Sequence, residues 1–150
     1  MSQSLTSLYV HIVFSTKYRN PVLVDPFEEL IHKYLYGIAK NLGCSAVAIG
    51  GHLDHVHILC RASKKIPMMD LVKTLKGNSS RWISLEFPEL RQFQWQKGYA
   101  AFSVSPQNVS DVAHYIRRQK EHHQSTDFKN ELRTLLSNHG VEYNEAYVWG

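Results

Sequence analysis

The spacing of apolar residues divides the chain into segments of strand and of helix character. Four segments are rich in β-branched and aromatic residues and are bounded by turn residues, which predicts strands at 5–17, 44–50, 55–60 and 99–105. Four other segments repeat apolar residues about every 3.6 positions, as amphipathic helices do. They predict helices at 26–42, at 67–86, from 106 to about 123 and from about 127 to 138.

The predicted elements follow one another in the order β-α-β-β-α-β, and two further helices come after them. This order is that of the ferredoxin-like split arrangement, an α+β fold in which the first and third strands pair at the centre of an antiparallel sheet. Two long helices cover one face, which leaves the other open to a ligand or to another element. We expect one domain over 1–150, with its core at about 5–124 and a C-terminal helix and tail at 125–150.

Capping and turn residues mark where several of these elements begin and end. Asp25 is the expected N-cap of the first helix, with Pro26 at its first position and Gly43 after its end. Gly50 and Gly51 predict a tight turn, so the second and third strands are expected to form a hairpin.

The third predicted strand carries the first candidate chemistry. Because successive side chains of a strand point to opposite faces, Val56, Ile58 and Cys60 share one face, which predicts a core position. His55 and His57 share the other face, about 7 Å apart along the strand. Two parallel imidazoles on a rigid strand form half of a site for a divalent cation. Because the chain has nine histidines, a pair that is only solvated or hydrogen-bonded is the alternative.

The third predicted helix carries the second half of a candidate site. Tyr115, Gln119 and His122 are spaced i, i+4 and i+7, so they project from one side of a helix on successive turns. A glutamine oxygen is a hard ligand suited to Mg²⁺ or Mn²⁺, and a tyrosine hydroxyl beside such an ion can attack a phosphodiester. The alternative is a boundary tyrosine and a solvent-facing glutamine, which the nearby histidine pair disfavours.

Composition limits the class of protein without identifying it. The chain has 150 residues, 43% of them hydrophobic, and a formal net charge of +4, which permits a polyanionic partner. No apolar run approaches the roughly 20 residues that span a bilayer, and the first residues lack the features of a secretion signal. Cys44 and Cys60 are too few for a disulfide scaffold. These features predict a cytoplasmic protein without a membrane partner.

Four short motifs, taken as a set, resemble those of one enzyme family. The segment 54–59, Asp-His-Val-His-Ile-Leu, resembles the His-hydrophobic-His (HUH) motif of single-tyrosine transposases, the enzymes of the smallest bacterial insertion sequences. The segment 115–119, Tyr-Ile-Arg-Arg-Gln, resembles their nucleophile helix. Segments 15–19 and 95–99 also resemble that family, and the resemblance runs from about residue 8 to 123. Relatives that serve dispersed palindromic repeats share these motifs.

The resemblance implies a reaction and roles for individual residues. Tyr115 is the expected nucleophile, which attacks single-stranded DNA at the ends of the element to give a 5′-phosphotyrosine and a free 3′-hydroxyl. A second 3′-hydroxyl then rejoins the strands. The expected ligands of Mg²⁺ or Mn²⁺ at the scissile phosphate are His55, His57 and Gln119. Outer partners of that site are expected nearby, and the candidates are His52, Asp54 and His122.

The resemblance also implies partners. Family members bind imperfect DNA hairpins near the element ends. Two ends must be held covalently at once, and one tyrosine per chain cannot hold both, which predicts a homodimer. In the family, the tyrosine helix of one subunit completes the site of the other, so shared active sites are expected. Candidate contacts to DNA backbone or bases are Lys17, Tyr18, Arg19, Lys73, Lys76, Arg81, Trp95, Arg117 and Arg118.

Other classes of function match parts of the pattern. A β-α-β-β-α-β sheet is also a platform on which a non-catalytic protein binds single-stranded nucleic acid, but the third strand has histidines where such platforms carry aromatic residues. A histidine-triad nucleotide hydrolase needs His-x-His-x-His, and position 59 is Leu. A two-histidine phosphodiesterase needs two His-x-Ser/Thr motifs, and the chain does not have both.

Overall fold

A four-stranded antiparallel sheet forms the centre of the protein in the computed structural model, which describes residues 1–150. The strands are β1 Tyr9–Ser15, β2 Ser45–Gly51, β3 His55–Arg61 and β4 Ala100–Val104. Their order across the sheet is β2-β3-β1-β4, so β1 and β3 are the central pair. The predicted ferredoxin-like arrangement is confirmed.

The register of the central strands fixes which residues meet at the end of the sheet. β1 and β3 pair along their whole length, from Tyr9 opposite Arg61 to Ser15 opposite His55. Ser15 is the last residue of β1 and His55 is the first of β3. The loops before β3 and after β1 therefore emerge side by side at the end of the sheet that carries His55.

Five α-helices pack around the sheet. They are α1 Phe27–Asn41, α2 Met68–Glu86, α3 Val109–Arg117, α4 Gln119–His122 and α5 Phe128–Asn138. The side chain of Asp127 caps α5 by accepting a hydrogen bond from the Asn130 amide at 2.9 Å. None of these helices has the length and apolar character that crossing a membrane requires.

The main hydrophobic core lies between one face of the sheet and helices α1 and α2. Val56, Ile58 and Cys60 are fully buried there, as the alternation along β3 predicts. The two helices contribute apolar residues at helical spacing: Ile31, Leu35, Ile38, Leu71, Val72, Leu75 and Ile83. This face of the sheet therefore serves packing alone.

The opposite face, which carries His55 and His57, is covered by later elements of the same chain. A first small cluster joins α3 to β2 and β3: Ala48, Leu59, Ala113 and Ile116. A second joins α5 to β1 and β4: Val13, Phe102, Phe128, Leu132 and Leu136. The histidine face is thus closed by protein and does not offer an open surface on which nucleic-acid bases can stack.

The predicted glycine turn is wrong, and the reason bears on the site. Gly50 and Gly51 lie inside β2, opposite His57 and Val56. The turn follows them, at 52–54, where Leu53 has a φ of 61°. A Cβ on Gly50 would lie only 2.1 Å from the backbone oxygen of Ile116. Glycine is needed here because it lets the backbone of α3 approach the sheet closely.

Two predicted helix boundaries also differ from the structure. The third predicted helix is interrupted at Arg118, whose φ of −103° and ψ of 25° separate α3 from α4. Asp25 does not cap α1, which begins at Phe27 without a side-chain cap. The amide of Phe27 instead donates to the carbonyl of Val24 at 2.8 Å, so a backbone group satisfies it.

Candidate active site

Two histidines of β3 define the centre of the site. The side chains of His55 and His57 are fully buried, and their ring centroids are 5.1 Å apart. Nδ1 of His55 lies 2.8 Å from Oδ1 of Asp54, and Nδ1 of His57 lies 2.8 Å from Nε2 of His11. Because each Nδ1 is held by a neighbour, each ring presents its Nε2 to the space beyond the sheet face.

His11 is a site residue that the sequence analysis did not identify. Burial and the neighbouring His57 lower the pKa of His11 to about 3, so its ring is neutral. A neutral His11 can accept the Nδ1 proton of His57 at its own Nε2. That tautomer leaves Nε2 of His57 free as a metal ligand. Only the register between β1 and β3 reveals this contact, because the two residues are far apart in sequence.

Tyr115 and Gln119 reach the histidine pair from α3 and α4, as their spacing predicts. Gln119 is buried, and its Oε1 lies 2.9 Å from Nε2 of His55. The half-buried ring of Tyr115 meets the ring of His57 edge-on, with centroids 5.6 Å apart. The interruption at Arg118 does not separate the two side chains, and all four residues come from one chain.

Glu131 of α5 lies at the point where these side chains converge, and the sequence analysis missed it. Its side chain accepts hydrogen bonds from the hydroxyl of Tyr115 and from Nε2 of Gln119, the latter at 2.9 Å. Its Oε1 lies 3.1 Å from Nε2 of His57 and 3.0 Å from Nε2 of His123. The sequence does carry a signal for it, because Glu131 is a charged residue on the apolar face of α5, where a hydrophobic residue is expected.

The charge of Glu131 controls the ionisation of its neighbours. Burial alone would raise the pKa of this carboxyl, but hydrogen bonds from His123, His55 and His57 outweigh burial and hold the pKa far below its usual range. Burial alone would lower the pKa of His55, but hydrogen bonds with Asp54 and Glu131 outweigh burial and raise this pKa to about 9. Burial and the charge of Glu131 raise the pKa of Tyr115, so the phenol is held protonated.

The ligand atoms at the centre fit a divalent cation. His55, His57 and Glu131 are all buried, and each offers one ligand atom within 4.8 Å of the other two. The imidazole nitrogens already have the outer partners that ligating histidines usually have. A buried group of two imidazoles and a carboxylate can therefore bind a metal ion.

The candidate outer residues lie around this centre in different ways. Asp54 holds His55 directly. Nε2 of His122 is 3.4 Å from Oε2 of Glu131, and its ring meets that of Tyr115 edge-on at 5.3 Å. The ring of His52 stacks on the ring of His123, with centroids 5.9 Å apart. The buried Nδ1 of His52 has no hydrogen-bond partner.

Several candidate DNA-binding residues line one cleft of about 940 Å³ beside α2. They are Lys17, Tyr18, Lys73 and Lys76. Tyr18 is 73% exposed, with the Lys17 amine 5.3 Å from its ring centroid. Lys76 donates to the carbonyls of Lys97 and Gly98, and burial lowers its pKa to about 8. The cleft is therefore both basic and aromatic.

Trp95 does not fit the stacking role that the sequence analysis considered. The side chain is only 6% exposed, and its ring packs edge-on against Phe14 and Phe93 in the main core. Its indole N–H donates to Ser79 Oγ at 2.9 Å. The residue touches the cleft wall, but a ring buried in this way cannot stack on a base, so we assign Trp95 to the core.

The remaining candidates are arginines outside the cleft lining. Arg19 donates to the carbonyl of Trp149 at 2.7 Å, which ties the chain's last residues to the loop after β1. Arg117 donates to the carbonyl of Val47 at 3.1 Å. Arg118 pairs with Glu121 on the exposed side of α4, and Arg81 is exposed on α2. The side chains of Arg19 and Arg117 are thus hydrogen-bonded to backbone carbonyls of the protein itself.

The fold and the histidine–tyrosine–glutamine centre define a class of protein, and comparison with known families names it. The model of the family described as "Transposase IS200 like" matches residues 4–119. This chain belongs to the IS200-like transposase family, and it is a DNA transposase by that membership. The matched segment contains β1 to α3 and ends at Gln119, before α5 begins.

Individual relatives agree with this assignment. The ISDra2 transposase TnpA of Deinococcus radiodurans is 29% identical over 119 residues, which cover 76% of this chain and 85% of that protein. The transposase for insertion sequence element IS200 of Salmonella typhimurium is 26% identical over 117 residues, which cover 74% of this chain and 76% of that protein.

Two solved structures resemble the fold. The crystal structure of a candidate transposase from Deinococcus radiodurans matches with a TM-score of 0.65 and 32% identity, over 79% of this chain and 98% of the other. A REP-associated tyrosine transposase bound to a REP hairpin matches with a TM-score of 0.61, over 82% of this chain and 74% of the other. Its identity is 11%, so this second likeness concerns the fold alone.

Proposed function

We propose that this transposase cuts and rejoins single-stranded DNA with Tyr115 as its nucleophile. The observation that carries the proposal is the convergence of Tyr115, Gln119, His55 and His57 on one buried point within a single chain. A phenol beside an amide oxygen and two imidazoles supports this proposal, because such a set can supply both a nucleophile and a metal site for phosphodiester exchange.

The reaction is an exchange of one phosphodiester for another. The Tyr115 oxygen forms a bond to the scissile phosphorus as the bond from phosphorus to the 3′-oxygen breaks. The products are a 5′-phosphotyrosine and a 3′-hydroxyl, which takes up the proton that the phenol loses. Rejoining reverses these bonds with another 3′-hydroxyl. Energy is conserved in the phosphotyrosine, so no nucleotide cofactor is required.

We propose Mg²⁺ or Mn²⁺ as the cofactor, bound by His55, His57 and Gln119. Oxygen donors suit both ions, and imidazole is tolerated well by Mn²⁺. A divalent ion bound there would supply Lewis-acid polarisation of the scissile phosphate. Asp54 and His11 hold the two imidazoles in the tautomers and orientations that such binding needs.

We propose that the cleft beside α2 receives the DNA backbone and that a hairpin near the element end is the folded part of the substrate. Lys17, Lys73 and Lys76 give the cleft positive charge, and Tyr18 offers an exposed ring on which an unpaired base can stack. Hairpin binding is supported by the structural neighbour that is bound to a REP hairpin. A DNA substrate also favours a cytoplasmic location.

We propose that two copies of the chain act together. Each chain has one candidate nucleophile, and transposition requires two element ends to be held at once. The expectation that one subunit's tyrosine helix completes the other's site is not needed here, because Tyr115 and Gln119 meet the histidines of their own chain. Dimerisation would then bring two complete sites together.

A covalent-adduct assay tests the nucleophile. The chain, Mn²⁺ and single-stranded DNA with a terminal hairpin should give a protein–DNA adduct that survives denaturation. Tyr115→Phe should abolish the adduct and leave DNA binding intact, whereas Tyr36→Phe, on the far face of α1, should not change it. An adduct formed by Tyr115→Phe would refute the assignment. A non-catalytic binder of nucleic acid would give no adduct with any variant, with or without metal.

A further inference from the structure

We propose that Glu131 is a direct ligand of the metal ion, alongside His55, His57 and Gln119. The C-terminal helix α5 is then part of the catalytic centre. The inference rests on the metal site proposed above and adds to it a residue from outside the segment that the family model matches, which ends at residue 119.

The separations between the ligand atoms support coordination. Oε1 of Glu131 is 3.1 Å from Nε2 of His57 and 3.4 Å from Nε2 of His55. Oε1 of Gln119 is 2.9 Å from Nε2 of His55. In an octahedral site with bonds of about 2.1 Å, adjacent ligand atoms are about 3 Å apart. The three distances are therefore compatible with neighbouring corners around one ion.

The surroundings of Glu131 also call for a cation. The residue is only 4% exposed, and its ionic partners are all histidines, with no lysine or arginine among them. Histidines that bind a metal ion are neutral, so in the metal-bound protein the buried carboxylate needs another positive partner, and the divalent ion provides one. Glu131 and three neutral ligands would hold the ion with four protein atoms, and a six-coordinate ion would then have room for substrate or water.

The position of Glu131 is fixed by packing that does not involve the metal. Phe128 and Leu132, on the same face of α5, are buried against Val13 and Phe102 of the sheet. The ring of His123 holds Oε1 at 3.0 Å from outside. The carboxylate is thus held in place before any ion arrives, as a preorganised ligand should be.

A different role for Glu131 predicts opposite results. The carboxylate would then occupy the position of the scissile phosphate and block the site, so its removal would leave metal affinity unchanged or raise it. As a ligand, its removal must lower metal affinity. Loss of an outer partner of a metal site typically costs about 10- to 100-fold in affinity, so loss of a direct ligand should cost at least about 10-fold.

Titration with Mn²⁺ of the full chain, freed of metal by a chelator, distinguishes these roles. Bound and free Mn²⁺ are measured by electron paramagnetic resonance at neutral pH, without DNA. Glu131→Gln keeps the size and much of the hydrogen bonding of the side chain, and Glu131→Asp keeps the charge on a shorter stem. Glu142→Gln, an exposed acid in the C-terminal tail, is the matched control. Circular dichroism and urea denaturation in chelator report whether each variant is folded.

We expect one Mn²⁺ per wild-type chain, at least about 10-fold weaker binding for Glu131→Gln, a smaller loss for Glu131→Asp and no change for Glu142→Gln. Wild-type affinity or tighter binding in the folded Glu131 variants, while His57→Ala has lost binding, would overturn the inference and leave the proposed function standing. If the wild-type chain does not bind Mn²⁺, or if His57→Ala binds it as tightly as the wild-type chain, the proposed metal site itself is overturned. If Glu131→Gln does not fold, unchanged affinity of Glu131→Asp overturns the inference.

Discussion

The hydroxyl of Tyr115 donates a hydrogen bond to the carboxylate of Glu131, sixteen residues later in the chain. Oε1 of the same carboxylate lies 3.1 Å from Nε2 of His57 and 3.0 Å from Nε2 of His123, so the candidate nucleophile and the histidine pair meet at one charged group. This connects α3, β3 and α5 through a single buried charge. Removing or neutralising that charge should change stability and chemistry together.

Glu131→Ala should destabilise the metal-free protein strongly. The change leaves several buried donors without their shared acceptor, and breaking a buried ionic group of this kind costs about 3–5 kcal/mol. Urea denaturation in the presence of a chelator measures the free energy of unfolding. Glu142→Ala, at an exposed position, should change it by no more than about 0.5 kcal/mol. Equal stability of the two variants would show that Glu131 is not held as described.

The stability of the metal-free protein should fall as pH rises from about 6.5 to 8, above which the lowered pKa of Lys76 acts in the opposite direction. The pKa of His55 is raised to about 9 because hydrogen bonds with Asp54 and Glu131 outweigh its burial. Between the unfolded value of about 6.5 and this folded value, the folded state holds a proton that the unfolded state has lost. The free energy of unfolding should therefore decrease by up to about 1.4 kcal/mol per pH unit.

The acidic side of the same profile has the opposite cause. Burial lowers the pKa of His57 and of His11, so both rings take up protons on unfolding when the pH falls below about 6.5, and stability decreases again. Urea denaturation across the full range should show a maximum near neutral pH. His55→Gln should flatten the alkaline limb, and a wild-type profile that is level from pH 6.5 to 8 is the contrary result.

Gly50→Ala should displace α3 and impair cleavage. The new Cβ would lie 2.1 Å from the Ile116 backbone oxygen, so the helix that carries Tyr115 must move. Overpacking of this kind costs about 1–3 kcal/mol of stability. Gly37→Ala, in α1 with open space around its Cβ, should instead stabilise by about 0.5–1 kcal/mol and leave adduct formation unchanged. Full adduct formation by Gly50→Ala would mean that this close approach is dispensable.

Mixing two inactive variants should not restore cleavage if each site is complete within one chain. Tyr115→Phe lacks the nucleophile and His57→Ala lacks a metal ligand, so a mixed dimer contains no intact site in the arrangement seen here. The measurement is the yield of covalent adduct after the two variants are mixed and allowed to exchange subunits. Recovery of about half of the sites in the mixed dimers, or about a quarter of all sites in an equal mixture, would instead indicate that Tyr115 acts on the histidines of the partner.

The strands and the histidine pair were predictable because a period of two is a local signal. Val56, Ile58 and Cys60 face the core and His55 and His57 face away, as alternation requires. The helical spacing of Tyr115 and Gln119 was also informative, although the backbone is interrupted between them at Arg118. Local periodicity survives such an interruption because both side chains still point towards the sheet.

The rest of the site depends on contacts between distant segments. Glu131 meets His57 from 74 positions away, and His11 meets it from 46 positions away. No local pattern specifies such contacts, which follow from strand register and from the docking of α5. The turn predicted at Gly50 was wrong for a related reason. Glycine suits a tight turn as well as a strand position that a helix approaches closely, and the sequence alone does not distinguish the two.

The covering of both sheet faces has a geometric consequence for the substrate. In the proposed function, a strand of DNA bound in the basic cleft beside α2 cannot cross the sheet, and the end where Ser15 and His55 lie side by side offers a route around it. Packed layers of secondary structure are about 10 Å apart, a length of only a few nucleotides. The protein would act as a ruler, with the distance from hairpin to cleavage point set by the thickness of its own layers.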